Sequence, residues 1–369
     1  MDQIQYFYEQ KIKKIPFIPR KVDIKENENI LVKGIRFSGK TFLIKDYLSR
    51  QKNFLYINLN DIRVDLDSLQ SNLQTFIDKN RIEIVAIDNY KKDFLIPKSK
   101  QIILSTNEPI YLDGFEMKNL YTLDFEEYMA FEKAIDTKIV FNNFLKNGTF
   151  PEISKTPEFK RNERFFEMIA MLFKKDIEIL KEISNRVGHK SSIYQIYTLI
   201  KDKTKISKDR FYSFFEYLKE TNLIFILEKF SYPKASKKIY FCDFALKNYL
   251  SFNRDFSKIF ENAIFLELFK RNYNIFYFDR IDFFVPSKKE AILSIPFGNE
   301  VGIQKRVSLA YKYLKELEIE KVTVVSVANG FKFYENDIFV EVLPFYEWAL
   351  KLWYYAELMR QEEDHLLDL

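Results

Sequence analysis

The chain has 369 residues, of which 47% are hydrophobic and 30% charged, and its formal net charge is +5 at pH 7. This balance excludes a mostly disordered chain, and the length allows two or three domains, each with its own core. A single cysteine, Cys242, excludes an intramolecular disulfide framework, and two histidines, His189 and His365, argue against zinc sites and histidine-based catalysis.

Two further features of the composition concern location and partners. No apolar run reaches the roughly 18 residues of a membrane span, and no signal-peptide pattern opens the sequence. We therefore expect a cytoplasmic protein without a membrane partner. Aromatic residues are frequent, with 38 Phe and 23 Tyr, which we interpret as Phe-filled cores rather than as surfaces that stack on nucleic acid bases.

The strongest motif of the chain spans residues 34–41. It reads Gly-Ile-Arg-Phe-Ser-Gly-Lys-Thr and fits G-x-x-x-x-G-K-[ST], with an apolar strand predicted before it at 30–32 and a helix after it at 41–48. The glycines let backbone N–H groups point at a phosphate, Lys40 reaches the β- and γ-phosphates, and Thr41 supplies an oxygen to Mg²⁺. We predict that ATP binds with Mg²⁺ at a loop whose nucleotide-binding residues are Gly34, Arg36, Ser38, Gly39, Lys40 and Thr41.

The next elements alternate between strand and helix patterns. We predict strands at 54–59, 82–88 and 101–107 and a helix at 66–79, an order typical of a parallel α/β sheet. The apolar strand 82–88 ends in Asp88, which we predict to be a second Mg²⁺ ligand beside Thr41. The following strand ends in Ser-Thr-Asn, and Asn107 is a candidate sensor of the γ-phosphate.

These motifs resemble those of the AAA+ ATPases. More narrowly, the chain is similar to a prokaryotic family of AAA-type ATPases whose C-terminal half resembles restriction-endonuclease folds. The similarity rests on Arg36 inside the loop, on the segments 123–131 and 144–152, and on Glu261. It implies a P-loop NTPase sheet of AAA+ type, then a helical and winged-helix module, then an α/β PD-(D/E)XK nuclease-like domain.

The chain departs from this family where hydrolysis is concerned. Asn89 follows Asp88 at the position where the family carries Glu, and an amide cannot accept a proton from water, so we expect slow hydrolysis. A substitute base remains open, with Glu83, Asp93 and Glu108 as the candidates. The family's Gly-Arg pair before the 123–131 segment also has no clear counterpart, since Met117 and Lys118 stand there.

The middle of the chain has the order of a winged helix. We predict helices at 162–184, 191–200 and 208–218, followed by a hairpin of strands 222–230 and 238–241. Helix 208–218 is one candidate for DNA contact, with phosphates near Lys205, Lys208 and Arg210. Its aromatic residues and mixed charges favour the alternative, a lid or protein-contact module.

The C-terminal elements resemble the nuclease core without its lysine. The predicted helix at 260–271 carries Glu261, and the strand pattern at 281–285 carries Asp282, at the first two acidic positions. Ser294-Ile295-Pro296 replaces Glu-x-Lys, so we expect no phosphodiester cleavage, although Lys288 or Lys289 remains open as a migrated lysine. The other elements predicted in this part are strands at 276–278, 291–296 and 321–326, helices at 306–317 and 345–359, and a solvated end at 361–365.

From these patterns we expect three domains. They are an ATP-binding domain at 1–155 with a helical extension at 1–22, a helical and winged-helix module at 156–245, and a nuclease-like domain at 246–369. The favoured function is a nucleotide-dependent switch or scaffold with a protein partner or a homo-oligomeric state. A DNA-acting ATPase and an interaction protein with a vestigial P-loop are the alternatives.

Overall fold

The computed structural model describes residues 3–12, 18–132, 136–173, 176–253 and 255–351. The chain divides into two compact units, which comprise residues 1–122 with 220–223, and residues 123–219 with 224–369. In the described ranges, no helix is long and apolar enough to cross a membrane.

The first unit is built on a five-stranded parallel sheet. Its elements are α1 (Gln3–Glu9), β1 (Ile30–Lys33), α2 (Lys40–Leu48), β2 (Phe54–Asn58), α3 (Leu66–Asn80), β3 (Ile84–Asp88), β4 (Gln101–Thr106) and β5 (Glu116–Asn119). The strands lie in the order β2-β3-β4-β1-β5, and every neighbouring pair is parallel. The predicted parallel α/β sheet is thus confirmed, and it is consistent with a P-loop NTPase fold.

Apolar side chains cover both faces of this sheet. On one face Leu55, Ile57 and Val85 belong to the cluster that contains Leu69, Leu73 and Ile77 of α3. On the other face Ile30, Val32 and Ile103 belong to the cluster that contains Leu43, Ile44 and Tyr47 of α2. Burial on both sides explains why β3 and β4 read as continuous runs of buried residues rather than as alternating ones.

Strand β5 did not emerge from the sequence pattern. Its residues, Glu-Met-Lys-Asn, are half-buried or exposed and include two charged side chains, so neither an apolar run nor an alternation marks them. Pairing with β1 in parallel register makes this segment a strand. No helix lies between β3 and β4, because residues 89–100 form turns and irregular backbone.

The second unit begins with helices and a hairpin. These elements are α4 (Phe125–Glu132), α5 (Thr137–Asn147), α6 (Pro151–Lys155), α7 (Glu158–Phe173), α8 (Ile177–Ser184), α9 (Ile193–Thr204), α10 (Lys208–Glu220), β6 (Ile224–Leu227) and β7 (Lys238–Phe241). The antiparallel β6–β7 pair confirms the predicted hairpin. The single helix predicted at 162–184 is wrong: the structure has α7 and α8, and Asp176 at the start of α8 has φ −111° and ψ 17°, outside the helical region.

A six-stranded mixed sheet forms the rest of this unit. Its elements are α11 (Leu246–Leu250), α12 (Phe256–Lys270), β8 (Phe276–Phe278), β9 (Ile281–Val285), β10 (Glu290–Ser294), α13 (Glu300–Ser308), α14 (Tyr311–Glu316), β11 (Lys321–Ser326), β12 (Phe331–Glu335) and β13 (Ile338–Pro344). The strand order is β12-β13-β11-β10-β9-β8. Apolar residues of α13 and α14 cover one face.

Several C-terminal expectations were only partly right. The helix predicted at 306–317 is two helices, α13 and α14, because Leu309 and Ala310 join them as a turn. The sequence reading also missed β12 and β13. Residues 345–351 are helical as predicted, while the remainder of the predicted helix and the solvated end at 361–365 lie outside the described residues.

An aromatic cluster fills the core of the second unit. The ring of Phe144 lies 4.9 Å from that of Phe244, 5.2 Å from those of Phe125 and Tyr128, and 5.7 Å from that of Phe345, measured between centroids. All five side chains are buried. The high phenylalanine content therefore fills this core, as the composition suggested.

Replacing Phe144 with Ala should destabilise the second unit by about 3–5 kcal/mol, because a large buried ring is lost from a packed cluster. Urea denaturation followed by circular dichroism measures this change. The control is Phe159→Ala: Phe159 is 82% exposed, so its loss should change stability by no more than about 0.5 kcal/mol. Equal effects of the two substitutions would contradict the central place of Phe144.

Candidate nucleotide-binding site

The loop at 34–41 leads from β1 into α2. Glycine is needed at two of its positions, for a different structural reason at each. A Cβ on Gly34 would lie 2.4 Å from the carbonyl oxygen of Leu120, so no larger residue fits without a backbone shift. Gly39 is the N-cap of α2 and has φ 100°, a left-handed conformation that favours glycine. The first N–H groups of α2 have no partner within the helix, and with the helix dipole they form an anion-binding end.

Lys40 is the first residue of α2 and folds back over the loop. Its Nζ donates hydrogen bonds of 2.8 Å to the carbonyl oxygens of both Gly34 and Ile35. Burial lowers the pKa of Lys40 to about 8, although the nearby Asp88 carboxylate opposes the shift. A bound phosphate would stabilise the charged ammonium.

Ser38 offers a buried donor inside the same loop. Its side chain is fully buried, and its Oγ has no hydrogen-bond partner among the described residues. A buried hydroxyl without a partner costs about 1–3 kcal/mol, which a phosphate oxygen in the loop would relieve. Arg36 of the same loop is exposed. The loop residues thus fit a phosphate group.

Asp88 ends β3 and is 1% exposed. Its Oδ2 accepts hydrogen bonds from Thr41 Oγ1 at 2.6 Å and from the Tyr56 hydroxyl at 2.8 Å. Its Oδ1 accepts from the Ser105 hydroxyl and, at 3.1 Å, from the backbone N–H of Asn89. The fold therefore brings together Thr41 and Asp88, the two side chains that the sequence assigned to Mg²⁺.

The donor set suits a magnesium ion that is shared with a nucleotide. Within the described ranges, no group of three or more His, Cys, Asp or Glu side chains is arranged to hold a metal by itself. Mg²⁺ is usually held by one or two protein oxygens together with phosphates and water. Thr41 and Asp88 would supply those protein oxygens, and the ion would neutralise the phosphate charge. Their role as ligands stays a prediction.

Asn89 and Asn107 flank the same edge of the sheet. Asn89, with φ 57°, donates from Nδ2 to Asn58 Oδ1 at 2.9 Å, so its amide is engaged beside Asp88. Asn107 is half-buried and directly follows Thr106, whose carbonyl oxygen accepts a 3.1 Å hydrogen bond from the N–H of Gly34. Asn107 therefore lies next to the loop in the sheet, and its role as a sensor stays a prediction.

Of the three candidate substitute bases, one is on the wrong edge of the sheet. Glu83 precedes β3, so the length of the strand, about 16 Å at roughly 3.3 Å per residue, separates it from Asp88. It also contacts Lys100 at 3.6 Å. Asp93 and Glu108 are exposed and follow β3 and β4 at the edge that carries Asp88. The structure therefore retains only these two as alternatives.

Sequence reasoning missed three residues of this site. Tyr56 and Asn58 lie two apart on the alternating strand β2, so a shared face was readable, but their contact with Asp88 and Asn89 was not. Arg20 donates 2.8 Å hydrogen bonds to the carbonyl oxygens of Ser38 and Tyr121. No local pattern marks Arg20, because it comes from a segment without regular structure.

Comparison with known proteins supports this assignment. Residues 26–93 match a family model described as an AAA domain, a span that includes both the loop and Asp88. The uncharacterized protein MJ1544 of Methanocaldococcus jannaschii is 28% identical over 92% of each chain. The match to the AAA domain, with the parallel sheet, supports an AAA-type P-loop ATPase core.

Two solved structures are also similar to parts of the chain. The Walker-type ATPase PABY2304 of Pyrococcus abyssi is 16% identical with a TM-score of 0.43, and the match covers 65% of this chain and 99% of that one. The structure of Drosophila ORC bound to AT-rich DNA and Cdc6 gives 13% identity and a TM-score of 0.18, with 58% of this chain and 82% of that chain covered.

In the second unit, Glu261 of α12 and Asp282 of β9 are brought together by a lysine of a third element. Lys238 of β7 is 5% exposed in its side chain, and its Nζ lies 2.7 Å from Glu261 Oε1 and 3.8 Å from Asp282 Oδ1. Lys258 and Tyr240 also donate to Glu261, at 2.7 and 2.6 Å. Although burial opposes it, Lys238 and Lys258 lower the pKa of Glu261 to about 2.

This arrangement bears on the alternative of a migrated lysine. Lys288 and Lys289 lie in the turn that joins β9 to β10, whereas the N–H of Ser294, at the far end of β10, donates to Asp282 at 3.0 Å. Lys238 contacts both acids of the pair, whereas Lys258 contacts Glu261. Because cations and a phenol already surround Glu261, a metal ion would have to displace them.

Replacing Tyr56 with Phe should strengthen the effect of Mg²⁺ on ATP binding by about fivefold, or ~1 kcal/mol, because it removes a hydroxyl that competes for Asp88 Oδ2. The measurement compares ATP affinity with and without Mg²⁺ for each variant. Tyr47→Phe is the control, since the hydroxyl of Tyr47 donates to Gln101 instead. An unchanged or weaker Mg²⁺ effect in Tyr56→Phe would contradict the competition.

Proposed function

We propose that this chain binds ATP with Mg²⁺ at the 34–41 loop, turns it over slowly or not at all, and acts as a nucleotide-dependent switch or scaffold. The observation that carries the proposal is the 2.6 Å contact between Thr41 and Asp88 beside the N-terminus of α2. This contact and the Lys40 ammonium, which lies over the same loop, support the binding of an anion with a metal ion at this helix end.

The expectation of slow turnover rests on the residue after Asp88. Asn89 can orient a water molecule but cannot accept its proton, and its amide already donates to Asn58. Asp93 and Glu108, the two remaining candidate bases, are exposed to solvent, and no described contact holds either of them beside Asp88. Slow cleavage keeps the bound nucleotide intact for longer, which suits a switch.

The other modules enter the proposal as predictions. The helix–helix–hairpin order of α9, α10, β6 and β7 supports a winged-helix module within 156–245. The mixed sheet, with Glu261 near Asp282, supports a PD-(D/E)XK-like scaffold within 246–369. We propose that the P-loop domain comprises residues 1–155. The proposed target of the switch is a protein partner or a second copy of the chain.

Calorimetric titration with ATP and Mg²⁺ tests nucleotide binding. Wild type should bind ATP. Lys40→Ala should lose at least tenfold in affinity, because it removes the ammonium group that donates charge-assisted hydrogen bonds to the phosphates. Lys45→Ala is the matched control, because Lys45 belongs to the same helix but lies 5.1 Å from the Tyr56 ring rather than over the loop. Equal affinity in wild type and Lys40→Ala would refute the assignment.

Asn89→Glu should raise ATP turnover by about 10²-fold or more, because it supplies the missing general base. Steady-state phosphate release measures the rate. Asn89→Gln keeps an amide at this position and should leave turnover unchanged. If Asn89→Glu binds ATP normally and hydrolyses it no faster, the missing base does not limit hydrolysis.

A second candidate function is a DNA-acting ATPase. The observation that favours it is the proximity of Glu261 and Asp282 to Lys238, a buried lysine beside two acids. Its signature is ATP hydrolysis stimulated by DNA, or nicking of DNA that requires Mg²⁺ and is lost in Asp282→Ala. Without either activity in wild type, the switch or scaffold remains the better description.

A further inference from the structure

A cavity of about 250 Å³ opens on the six-stranded sheet of the second unit, far in sequence from the loop at 34–41. Its floor is formed where β10, β11 and β13 run side by side, and the helical residues 345–351 form a wall. The face of the sheet that packs on α13 and α14 is apolar, whereas the cavity is lined mostly by charged side chains.

Positive charge exceeds negative charge around this cavity. Glu341 is buried, and its carboxylate is contacted by three ammonium groups, those of Lys351 at 3.0 Å, Lys321 at 3.2 Å and Lys332 at 3.5 Å. Glu290, the second carboxylate of the lining, accepts a 2.6 Å hydrogen bond from Thr323. The lining thus holds three lysines, Lys288, Lys321 and Lys351, against two carboxylates, and Lys332 adds a further positive charge beside Glu341, so the net positive charge favours an anion.

A buried donor without an acceptor lies in the same lining. Trp348 is 2% exposed, and its indole Nε1 has no hydrogen-bond partner in the described part of the chain. Leaving a buried N–H without an acceptor costs about 1–3 kcal/mol, and most buried polar groups in proteins avoid it. A ligand in the cavity that accepts hydrogen bonds would satisfy this group once the indole turns its N–H toward the cavity.

We propose that this cavity is a binding site for a small dianion of the phosphate class. A phosphoryl group carries only acceptor oxygens, which match the ammonium groups of Lys321 and Lys351 and the indole N–H of Trp348. The volume is below the roughly 300–1,000 Å³ of pockets for drug-sized ligands, so it suits a free phosphate or a small phosphomonoester rather than a nucleotide. This site shares no residue with the nucleotide-binding loop.

The test uses the full chain with Lys40→Ala, which removes the loop lysine as a second phosphate contact. Inorganic phosphate and glycerol phosphate are titrated by calorimetry, and the ¹⁵N-labelled indole signals are followed by NMR. Saturable binding is expected, with a shift of the indole signal that disappears in Trp348→Phe. Tighter binding of glycerol phosphate indicates an ester as the ligand, and equal binding indicates free phosphate.

Three substitutions in this background give effects of defined sign. Trp348→Phe keeps the ring and should weaken binding about tenfold, as should Lys351→Gln, since each removes one donor to a charged acceptor. Glu341→Gln should strengthen binding several-fold, because it removes the competing negative charge. Lys219→Gln is the control, since Lys219 pairs with Glu216 on α10 and should have no effect.

Three outcomes would overturn the proposal. They are the absence of saturable binding, equal affinity in the Trp348→Phe, Lys351→Gln and Lys219→Gln variants, or weaker binding in a folded Glu341→Gln variant. Circular dichroism of each variant establishes that it is folded. If Glu341→Gln does not fold, the Lys351→Gln and Trp348→Phe comparisons decide the question alone.

Discussion

Parallel pairing of β1, β4 and β3 is the constraint on which the nucleotide-binding site depends. The register aligns Lys33 with Thr106 and Ile87 with Leu104, so the carboxyl ends of the three strands reach one edge together. At that edge the loop after β1 meets the carboxylate that ends β3, with the hydroxyl of Ser105 between them in the sheet. Residues separated by 47 positions in sequence, Thr41 and Asp88, thereby come within 2.6 Å.

The same edge shows how the charges of the site are balanced. Lys40 is bound to loop carbonyls, and Asp88 accepts four hydrogen bonds, so both groups are satisfied by the protein itself. The loop is therefore preorganised, while a phosphate or a metal ion must compete with internal partners. Ser38 Oγ lacks such a partner and is the group that gains most from a ligand.

The second unit contains two buried carboxylates in lysine-rich surroundings, with different consequences. Glu261 is enclosed by Lys238, Lys258 and Tyr240 at 2.6–2.7 Å, a compact network in which both carboxylate oxygens accept hydrogen bonds. Glu341 is approached by lysines at 3.0–3.5 Å that remain partly exposed to solvent. A buried ion pair is stable only when its geometry is good. The short contacts around Glu261 meet this condition and leave no room for a ligand. The longer contacts around Glu341 leave the lysines able to bind an additional anion, as proposed above.

Much of the first unit was predictable because its signals are local. The loop motif, the apolar runs of β1, β3 and β4, and the carboxylate at Asp88 each occupy a few consecutive residues, so the sequence alone predicted these three strands, the loop and the metal-ligand candidates. Secondary structure that depends on partners was not predictable. The polar strand β5 exists because it pairs with β1, and the helix predicted at 162–184 is divided where Asp176 leaves the helical conformation.

Only the tertiary structure decided which distant side chains meet. Tyr56 reaches Asp88 because β2 lies beside β3, and Lys238 reaches Glu261 because the hairpin packs on α12. The tertiary structure also excluded Glu83 as a base, because Glu83 and Asp88 lie at opposite ends of β3 and therefore at opposite edges of the sheet. The sequence by itself determined which chemical groups are present and the local backbone they favour. Their distances, burial and partners follow from long-range packing, which no short-range pattern encodes.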